Sequence, residues 1–270
     1  YLQNTKVCLD ERYGETHATM SLLSSKEEAE RLSVEEMDDI INDKFRRNEY
    51  AWNAEKKIKW KTHGRICHRL EDFCYKCPKC GKEFTMKGEG NQIVCTSCGN
   101  GATMDDYYEF HPFEGSIIPE SPFQWVEQQR AQLIKEIREN PDYYFEDECQ
   151  IGNLDEYKLV GDNKTSFIVG EGKIRVDHTG MHYRGTRNGE PYEFDVDYNS
   201  LFTLITEVDS SFFNFYLRGE YFDVFPKHQT VGKFSLLVEE MHRYHVNTYK
   251  NFKWNDYMYE GMELGIDLKK

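Results

Sequence analysis

Two short cysteine motifs constrain the fold of this chain more than any other feature. Cys77 and Cys80 belong to a Cys-Pro-Lys-Cys-Gly motif, and Cys95 and Cys98 belong to a Cys-Thr-Ser-Cys-Gly motif. A CxxC turn lets two thiolates reach one ion, and zinc prefers four soft ligands in a tetrahedron. The glycine after each second cysteine suits a backbone that must turn with positive φ. The spacing therefore predicts a structural Zn²⁺ site with Cys77, Cys80, Cys95 and Cys98 as its four ligands.

The segment between the two motifs indicates a zinc ribbon hairpin. Residues 83–87 and 92–94 can pair across the Gly-Glu-Gly-Asn sequence at 88–91. Four thiolates leave no open position for water, so this pattern indicates a structural zinc rather than a catalytic one. The hairpin offers little core of its own in sequence. We therefore expect the metal to contribute on the order of 10 kcal/mol to its folding.

The other cysteines leave one alternative open. Cys74 forms a competing CxxC pair with Cys77, but only the pairing of Cys77 with Cys80 reproduces the trailing glycine. A disulfide framework is the rival interpretation, and cysteines at this spacing in a chain with no secretory signal favour metal over it. Cys8, Cys67 and Cys149 lack any activating neighbours in sequence and are expected to be ordinary, partly buried thiols.

Histidines at short spacing raise the question of a catalytic site. His178 and His182 flank a predicted turn, and His242 and His245 lie near the end of a predicted helix, with no further ligands nearby in sequence. A structural role is the expectation for both pairs. The chain has no Gly-x-Ser-x-Gly elbow, P-loop or dinucleotide fingerprint. We therefore assign no catalytic residue and no organic-cofactor site.

The charge is unevenly distributed along the 270 residues. The formal net charge is -14, yet from Glu55 to Lys87 ten basic side chains stand against four acidic ones. A basic segment in an acidic chain indicates a face for phosphates of lipid or nucleic acid. A solvated charged hairpin explains the pattern equally well. Apolar runs such as 201–208 are far shorter than the roughly 20 residues that cross a bilayer, so no transmembrane helix is expected.

Capping signals predict helices in the first half of the chain. Ser25 and Ser33 are each followed three residues later by glutamate, which is the capping-box pattern. Apolar residues at 34, 37, 41 and 45 then recur at helical spacing and form a face that needs a partner surface. Ser121 and Pro122 predict a helix from 122 to about 139, ending before Pro141. We interpret it as a rod that docks the ribbon to the C-terminal domain.

The second half changes to short aromatic and β-branched runs separated by glycine, asparagine and aspartate. Six segments are predicted strands: 166–176, 181–185, 192–196, 201–208, 212–218 and 221–225. An acidic and aromatic stretch at 143–148 is interpreted as an edge strand with solvated carboxylates rather than a binding patch. One amphipathic helix follows, with apolar residues from Val231 to Met241 on one face. The expected fold is a PH-like antiparallel β-barrel capped by a C-terminal helix.

Together these signals predict an α+β, multi-domain chain with connecting helices. The expected divisions are the tail of an upstream domain (1–24), a helical linker (25–60), the zinc ribbon (61–112), a connecting helix (113–141), a PH/GRAM-like domain (142–250) and a C-terminal tail (251–270).

The order of these motifs resembles the C-terminal extension of some bacterial 1-acyl-sn-glycerol-3-phosphate acyltransferases. The resemblance covers nearly the whole chain. It rests on the sequences at 32–36, 50–60, 75–86, 104–108, 118–120 with Trp125, and 169–172.

That resemblance implies a parent enzyme of phospholipid synthesis whose catalytic domain lies upstream. The family's catalytic His-x4-Asp motif and its phosphate-binding Glu-Gly-Thr-Arg motif do not occur here, and residues 1 to about 22 are expected to be the last strands of the catalytic domain. The chain itself is then an accessory region that orients or regulates the enzyme, in the cytoplasm at the inner face of the cell membrane. Its expected partners are that upstream domain and an anionic membrane surface contacting residues 56–87.

A nucleic-acid-binding zinc ribbon is the alternative function. Ribbon hairpins often contact phosphates and exposed bases, and Tyr75, Phe84, His63 and His68 permit such contacts. The strongly acidic remainder of the chain opposes binding to nucleic acid, so we expect no such partner.

Overall fold

The protein has an α+β fold with two antiparallel sheets. The computed structural model describes residues 11–45, 47–153 and 166–248. One sheet belongs to the cysteine-rich half and the other to the C-terminal half. We call these halves the cysteine unit (residues 49–118) and the sheet unit (residues 143–153 and 166–248).

Three helices precede the cysteine motifs; the first two start at the predicted capping signals, and the third starts at Asn48, which was not predicted as a cap. They are α1 (Lys26–Ala29), α2 (Val34–Phe45) and α3 (Glu49–Lys56). The Ser25 hydroxyl accepts from the Glu28 amide at 3.2 Å while the Glu28 carboxylate accepts from the Ser25 amide at 2.8 Å. Ser33 and Glu36 exchange the same two bonds at 3.1 and 2.8 Å. Both predicted capping boxes are confirmed.

The apolar face of α2 is covered only in part, with Met37 and Ile41 half-buried. The helix buries none of its residues, and the side chains of Val34 and Phe45 at its two ends are 75% and 82% exposed. Met20 and Leu22, which precede α1, are also exposed. The described residues therefore supply a partner surface for the middle of this face but not for its two ends.

The cysteine unit contains a four-stranded sheet in the order β1-β2-β3-β4. Its strands are β1 (Met86–Glu89), β2 (Gln92–Cys95), β3 (Gly101–Met104) and β4 (Phe110–Pro112). Lys87 pairs with Val94, so the predicted hairpin is confirmed. The expectation of little core is wrong, because segments outside the hairpin bring apolar side chains onto it. Its 13 buried members are Ile58, Trp60, Ile66, Cys67, Leu70, Cys74, Cys77, Met86, Ile93, Cys95, Met104, Tyr108 and Trp125.

Helix α4 (Pro122–Glu139) joins the two units, as the rod interpretation requires. Its N-terminus is capped by Ser121, whose hydroxyl accepts from the Gln124 amide at 3.2 Å. In its first turn Trp125 packs in the core of the cysteine unit. Two and three turns later Leu133 and Ile137 pack in the core of the sheet unit. One helix therefore belongs to both cores.

The sheet unit has seven strands in the order β8-β7-β6-β5-β11-β10-β9. They are β5 (Tyr144–Asn153), β6 (Phe167–Asp177), β7 (Gly180–Arg187), β8 (Glu190–Val196), β9 (Ile205–Thr206), β10 (Phe213–Leu217) and β11 (Glu220–Pro226). Within the described residues, β8 and β9 are the two edges and do not pair. The sheet is therefore open, and the prediction of a closed barrel is wrong. The predicted edge strand at 143–148 is also wrong, because β5 lies at the centre between β6 and β11.

Two tight turns in the sheet unit are formed by residues with positive φ. Asn188 and Gly189, at φ 53° and 84°, connect β7 to β8, and Arg218 and Gly219, at φ 53° and 83°, connect β10 to β11. Positive φ at both central residues is the mark of tight hairpin turns.

The predicted strand at 201–208 is much shorter in the structure, where only Ile205–Thr206 is a strand. Leu201 and Leu204 are buried in the core without strand pairing.

Helix α5 (Val231–His245) covers one face of this sheet. Val231, Phe234, Leu237, Val238 and Met241 join the core formed by the inner sides of the strands. The helix also approaches the cysteine unit closely: a Cβ on Gly232 would stand 2.1 Å from the carbonyl oxygen of Asp72. Only glycine permits this contact, because any side chain would separate the two units.

Gln129 provides a test of the α4 connection. Its side chain is buried; its carbonyl accepts from the Lys76 amide at 2.8 Å and its amino group donates to the Phe73 carbonyl at 2.7 Å. Gln129→Leu would leave two buried backbone groups unpaired, so we expect the free energy of unfolding to fall by about 3 kcal/mol. Gln128→Leu, at an exposed position on the same helix, is the matched control. Urea titration compares the two, and equal stability would contradict this role of Gln129.

Candidate metal centre

The four predicted ligands converge on one point in space. Their sulfur atoms all lie within 4.8 Å of one another. The Cys77 and Cys98 sulfurs are 3.7 Å apart, and the Cys80 and Cys95 sulfurs are 3.8 Å apart. Four sulfurs at the Zn–S distance of ~2.3 Å around a tetrahedral ion have edges of about 3.8 Å. The cluster therefore has the donor set and the size of a four-coordinate metal site.

The two motifs position their sulfurs with the same backbone turn. The Cys77 amide donates to the Lys82 carbonyl at 2.9 Å and the Gly81 amide donates to the Cys77 carbonyl at 2.9 Å. The Cys95 amide donates to the Asn100 backbone carbonyl at 2.8 Å, and the Gly99 amide donates to the Cys95 carbonyl at 2.9 Å. Gly81 and Gly99 take φ values of 72° and 73°, while an added Cβ would meet no neighbour at either. Backbone conformation alone therefore explains these two glycines.

Burial and hydrogen bonding act in opposite directions on the thiolate forms that metal binding needs. The Asn100 side-chain amide lies 3.6 Å from the Cys77 sulfur, and the Thr85 hydroxyl lies 3.3 Å from the Cys95 sulfur. Burial alone would raise the pKa of Cys95, but the bonds from Thr85 and from backbone amides lower it to about 6. Burial raises the pKa of Cys77 to about 12, so at this position metal binding must displace a proton.

Asn100 and Thr85 are the residues of this site that sequence reasoning missed. Besides contacting Cys77, Asn100 donates to the Ile117 carbonyl at 2.9 Å and accepts from the Ile117 amide at 2.7 Å. It thereby fixes the segment leading to α4 beside the cluster. Its position directly after the second motif's glycine is the only signal in sequence. Nothing in the sequence indicates that Thr85 points at a sulfur.

The remaining described cysteines are separate from the cluster. Cys67 and Cys74 are buried in the core of the cysteine unit, and Cys149 is buried in the core of the sheet unit. Burial raises the pKa of Cys67 and of Cys149 to about 12, which disfavours thiolate reactivity. Cys8 lies outside the described residues. No pair of described cysteines forms a disulfide.

The histidines take part in structural contacts. His178 and His245, one from each predicted pair, face each other with their ring nitrogens 2.9 Å apart. His182 bonds Asp195 at 2.5 Å and Asp177 at 3.2 Å, and the buried His242 bonds the Tyr198 carbonyl at 2.7 Å. Among the described residues, no cluster of three or more potential metal ligands includes a histidine.

Most basic side chains of residues 56–87 have acidic partners. Carboxylates lie within 4 Å of six of them: Lys56, Lys57, Lys59, Arg69, Lys76 and Lys87. Several of these acids come from distant sequence, among them Asp106, Glu109 and Glu136. Lys79 and Lys82 instead donate to neutral oxygens, at 2.7 and 2.8 Å. The local excess of positive charge in sequence is therefore largely compensated in space.

Comparison with known proteins yields no matching family model, no matching curated protein and no matching solved structure. The family resemblance therefore stays a prediction. Among the described helices, none combines the length and apolar character that crossing a bilayer requires.

Metal content tests the cluster directly. We expect one equivalent of bound metal per chain, and its loss in Cys77→Ser and Cys98→Ser, because three thiolates close the site less tightly. Cys149→Ala is the control, since this thiol lies in the other core. Elemental analysis after gel filtration measures the content. Metal-free protein with the four sulfurs oxidised in pairs would contradict the assignment.

Proposed function

We propose that this chain is a non-catalytic accessory region of a phospholipid-synthesis acyltransferase, the enzyme class that transfers an acyl group to 1-acylglycerol-3-phosphate. In this proposal the cysteine unit is a zinc ribbon and the sheet unit is a PH/GRAM-like domain. The two units together dock against the catalytic domain of the same polypeptide and orient or regulate it at the membrane surface. The family part of this proposal rests on the ordered motifs in the sequence.

The exposed apolar side chains at the two ends of α2 are the observation that carries the docking role. Val34 and Phe45 are almost fully exposed at the two ends of α2, and the helix carries five carboxylates and one lysine. Exposed apolar side chains rimmed by charge mark contacts with other proteins. The acidic rim favours a partner surface with an apolar centre and basic edges.

The metal centre supports an accessory role rather than catalysis. A site closed by four cysteines has no position for water or substrate. Zn²⁺ is the ion that we propose, because it prefers an all-thiolate tetrahedral site and has no redox chemistry of its own. When bound, it would supply cross-linking of the two CxxC turns.

The sheet unit supports the PH/GRAM-like assignment in its order of elements. Antiparallel strands connected by tight hairpins are followed by one helix whose apolar face enters the sheet core. The sheet differs from a closed barrel because its two edge strands, β8 and β9, do not pair with each other. An open sheet of this kind can bind either a regulatory ligand or another protein.

The proposal includes a contact between exposed lysines and anionic lipid. In the 56–87 segment Lys61, Lys79 and Lys82 are exposed, and no salt bridge joins any of them to an acid within 11–45, 47–153 or 166–248. Each lysine near an anionic surface contributes about 1 kcal/mol. Three lysines could therefore support reversible attraction of the cytoplasmic membrane face, but not stable anchoring.

The nucleic-acid alternative finds less support. Tyr75 is buried, and Phe84 stacks with Tyr75 and Phe145 at centroid distances of 5.4 and 5.8 Å. Tyr75 is therefore closed to bases, and Phe84, although 38% exposed, already stacks on two protein rings. A salt-titrated gel shift with single- and double-stranded DNA or RNA tests this function, and submicromolar binding at physiological salt would favour it over ours.

Acyltransferase assays on the full-length gene product test the docking role. We expect acyl transfer to 1-acylglycerol-3-phosphate by the full polypeptide and none by residues 1–270 alone. Val34→Asp with Phe45→Asp should reduce that activity about tenfold or more, because burying two carboxylates at an apolar contact is costly. Tyr216→Asp, at a ring of the sheet unit that is 68% exposed, is the control. A full-length product without acyltransferase activity would contradict the proposal.

Vesicle co-sedimentation tests the lipid contact. We expect binding that grows with the fraction of anionic lipid and weakens with salt. Lys61→Gln, Lys79→Gln and Lys82→Gln together should remove this dependence, whereas Lys135→Gln with Lys173→Gln should not. Binding that ignores lipid charge would count against the lipid contact.

A further inference from the structure

One short hairpin connects the metal centre to the interface between the two units. Residues 75–84 carry Cys77 and Cys80 at the tip. Near the base, the Phe84 amide donates to the Tyr75 carbonyl at 2.8 Å, and Lys76 and Glu83 form an isolated antiparallel bridge. The backbone that sets the two sulfurs therefore also sets the four side chains at 75, 76, 83 and 84.

Polar side chains at the base of this hairpin form a chain of ion pairs across the interface. The Lys76 ammonium lies 2.9 Å from Glu136 of α4 and 3.8 Å from Glu83. Glu83 in turn accepts from Lys233 of α5 at 2.5 Å. The side chains of Lys76 and Lys233 are only 10% and 6% exposed. Both ammonium groups are therefore withdrawn from water and depend on the carboxylates that face them.

Aromatic rings follow the same path. Tyr75 stacks on Phe84 at 5.4 Å between centroids, Phe84 on Phe145 of β5 at 5.8 Å, and Phe145 contacts Phe234 of α5 at 4.8 Å. The Lys233 ammonium lies 4.5 Å from the centre of the Phe145 ring. The hairpin base thus contacts the sheet unit through both charge and rings.

We infer that metal binding at the four cysteines is coupled to docking of the cysteine unit on the sheet unit. Bound metal ties the hairpin tip to Cys95 and Cys98, which restricts the backbone that presents Lys76, Glu83, Tyr75 and Phe84 to α4, α5 and β5. Docking in turn holds two of the four sulfurs in their binding positions. Because coupling between two equilibria is reciprocal, each process strengthens the other. Such coupling depends on the fold of this chain and not on the enzyme that the chain serves.

The competing arrangement is an interface that needs no metal. Trp125 donates to the Lys76 carbonyl at 2.9 Å, and Gln129 accepts from the Lys76 amide at 2.8 Å. If these bonds to α4 suffice to fix the hairpin base, losing the metal would loosen only the two CxxC turns. The experiments below distinguish these cases.

Metal affinity in interface variants is the first test. Lys233→Met removes the ion pair with Glu83, about 150 positions away in sequence, without touching a ligand. We expect Zn²⁺ affinity, measured by competition with a chromophoric chelator, to fall about tenfold, which is within the usual range of coupling between two sites. Lys173→Met is the matched control, because it removes an exposed pair with Glu146 on the sheet surface. Glu136→Gln, at the less buried end of the ion-pair chain, tests the same coupling if Lys233→Met does not fold.

Equal affinity in these variants and the wild-type protein would overturn the inference. A protein that binds no metal would also overturn the coupling.

Hydrogen exchange in the metal-loaded and chelator-treated protein is the second test. We expect removal of the metal to increase exchange in α5 and in the first turns of α4 as well as in residues 75–84. Exchange that increases only at 77–82 and 95–99 would overturn the coupling. It would leave the metal site itself intact, so the two conclusions are separable.

Discussion

A single helix shared by two hydrophobic cores determines how this protein is assembled. Trp125 is buried in the core of the cysteine unit, while Leu133 and Ile137 are buried in the core of the sheet unit. Between them Gln129 pairs with two backbone groups of the cysteine unit. Because α4 cannot leave either core without exposing apolar surface and unpaired polar groups, the two units are held in contact. Arg130 adds to this, with bonds to Glu239 and Glu240 of α5 at 2.9 and 2.5 Å.

The metal centre lies within this assembly rather than at the end of an isolated hairpin. Cys77 and Cys95 are buried among the apolar side chains of the cysteine unit, whereas Cys80 and Cys98 are exposed. The site is therefore supported by a core on one side and open to solvent on the other. Such support reduces the share of folding free energy that the ion alone must supply.

The distribution of charge in the sequence differs from the distribution of charge on the folded surface. The segment at 56–87 has a local excess of positive charge, yet Asp106, Glu109 and Glu136 fold back against its lysines. Lys76 and Glu83 are used in the interface instead of facing solvent. A charge count along the chain cannot anticipate this, because the neutralising carboxylates arrive through tertiary contacts.

The sequence by itself determined the elements that depend only on neighbouring residues. Capping boxes at Ser25 and Ser33, the start of α4 at Pro122 and the turn within each CxxC motif all follow from a few adjacent residues. Tertiary structure decided the central position of β5 and the open sheet, because strand order depends on pairing between segments far apart. It also decided the collapse of the 201–208 strand, the core behind the metal site and the contacts of Asn100, since each requires surfaces that only the folded chain brings together.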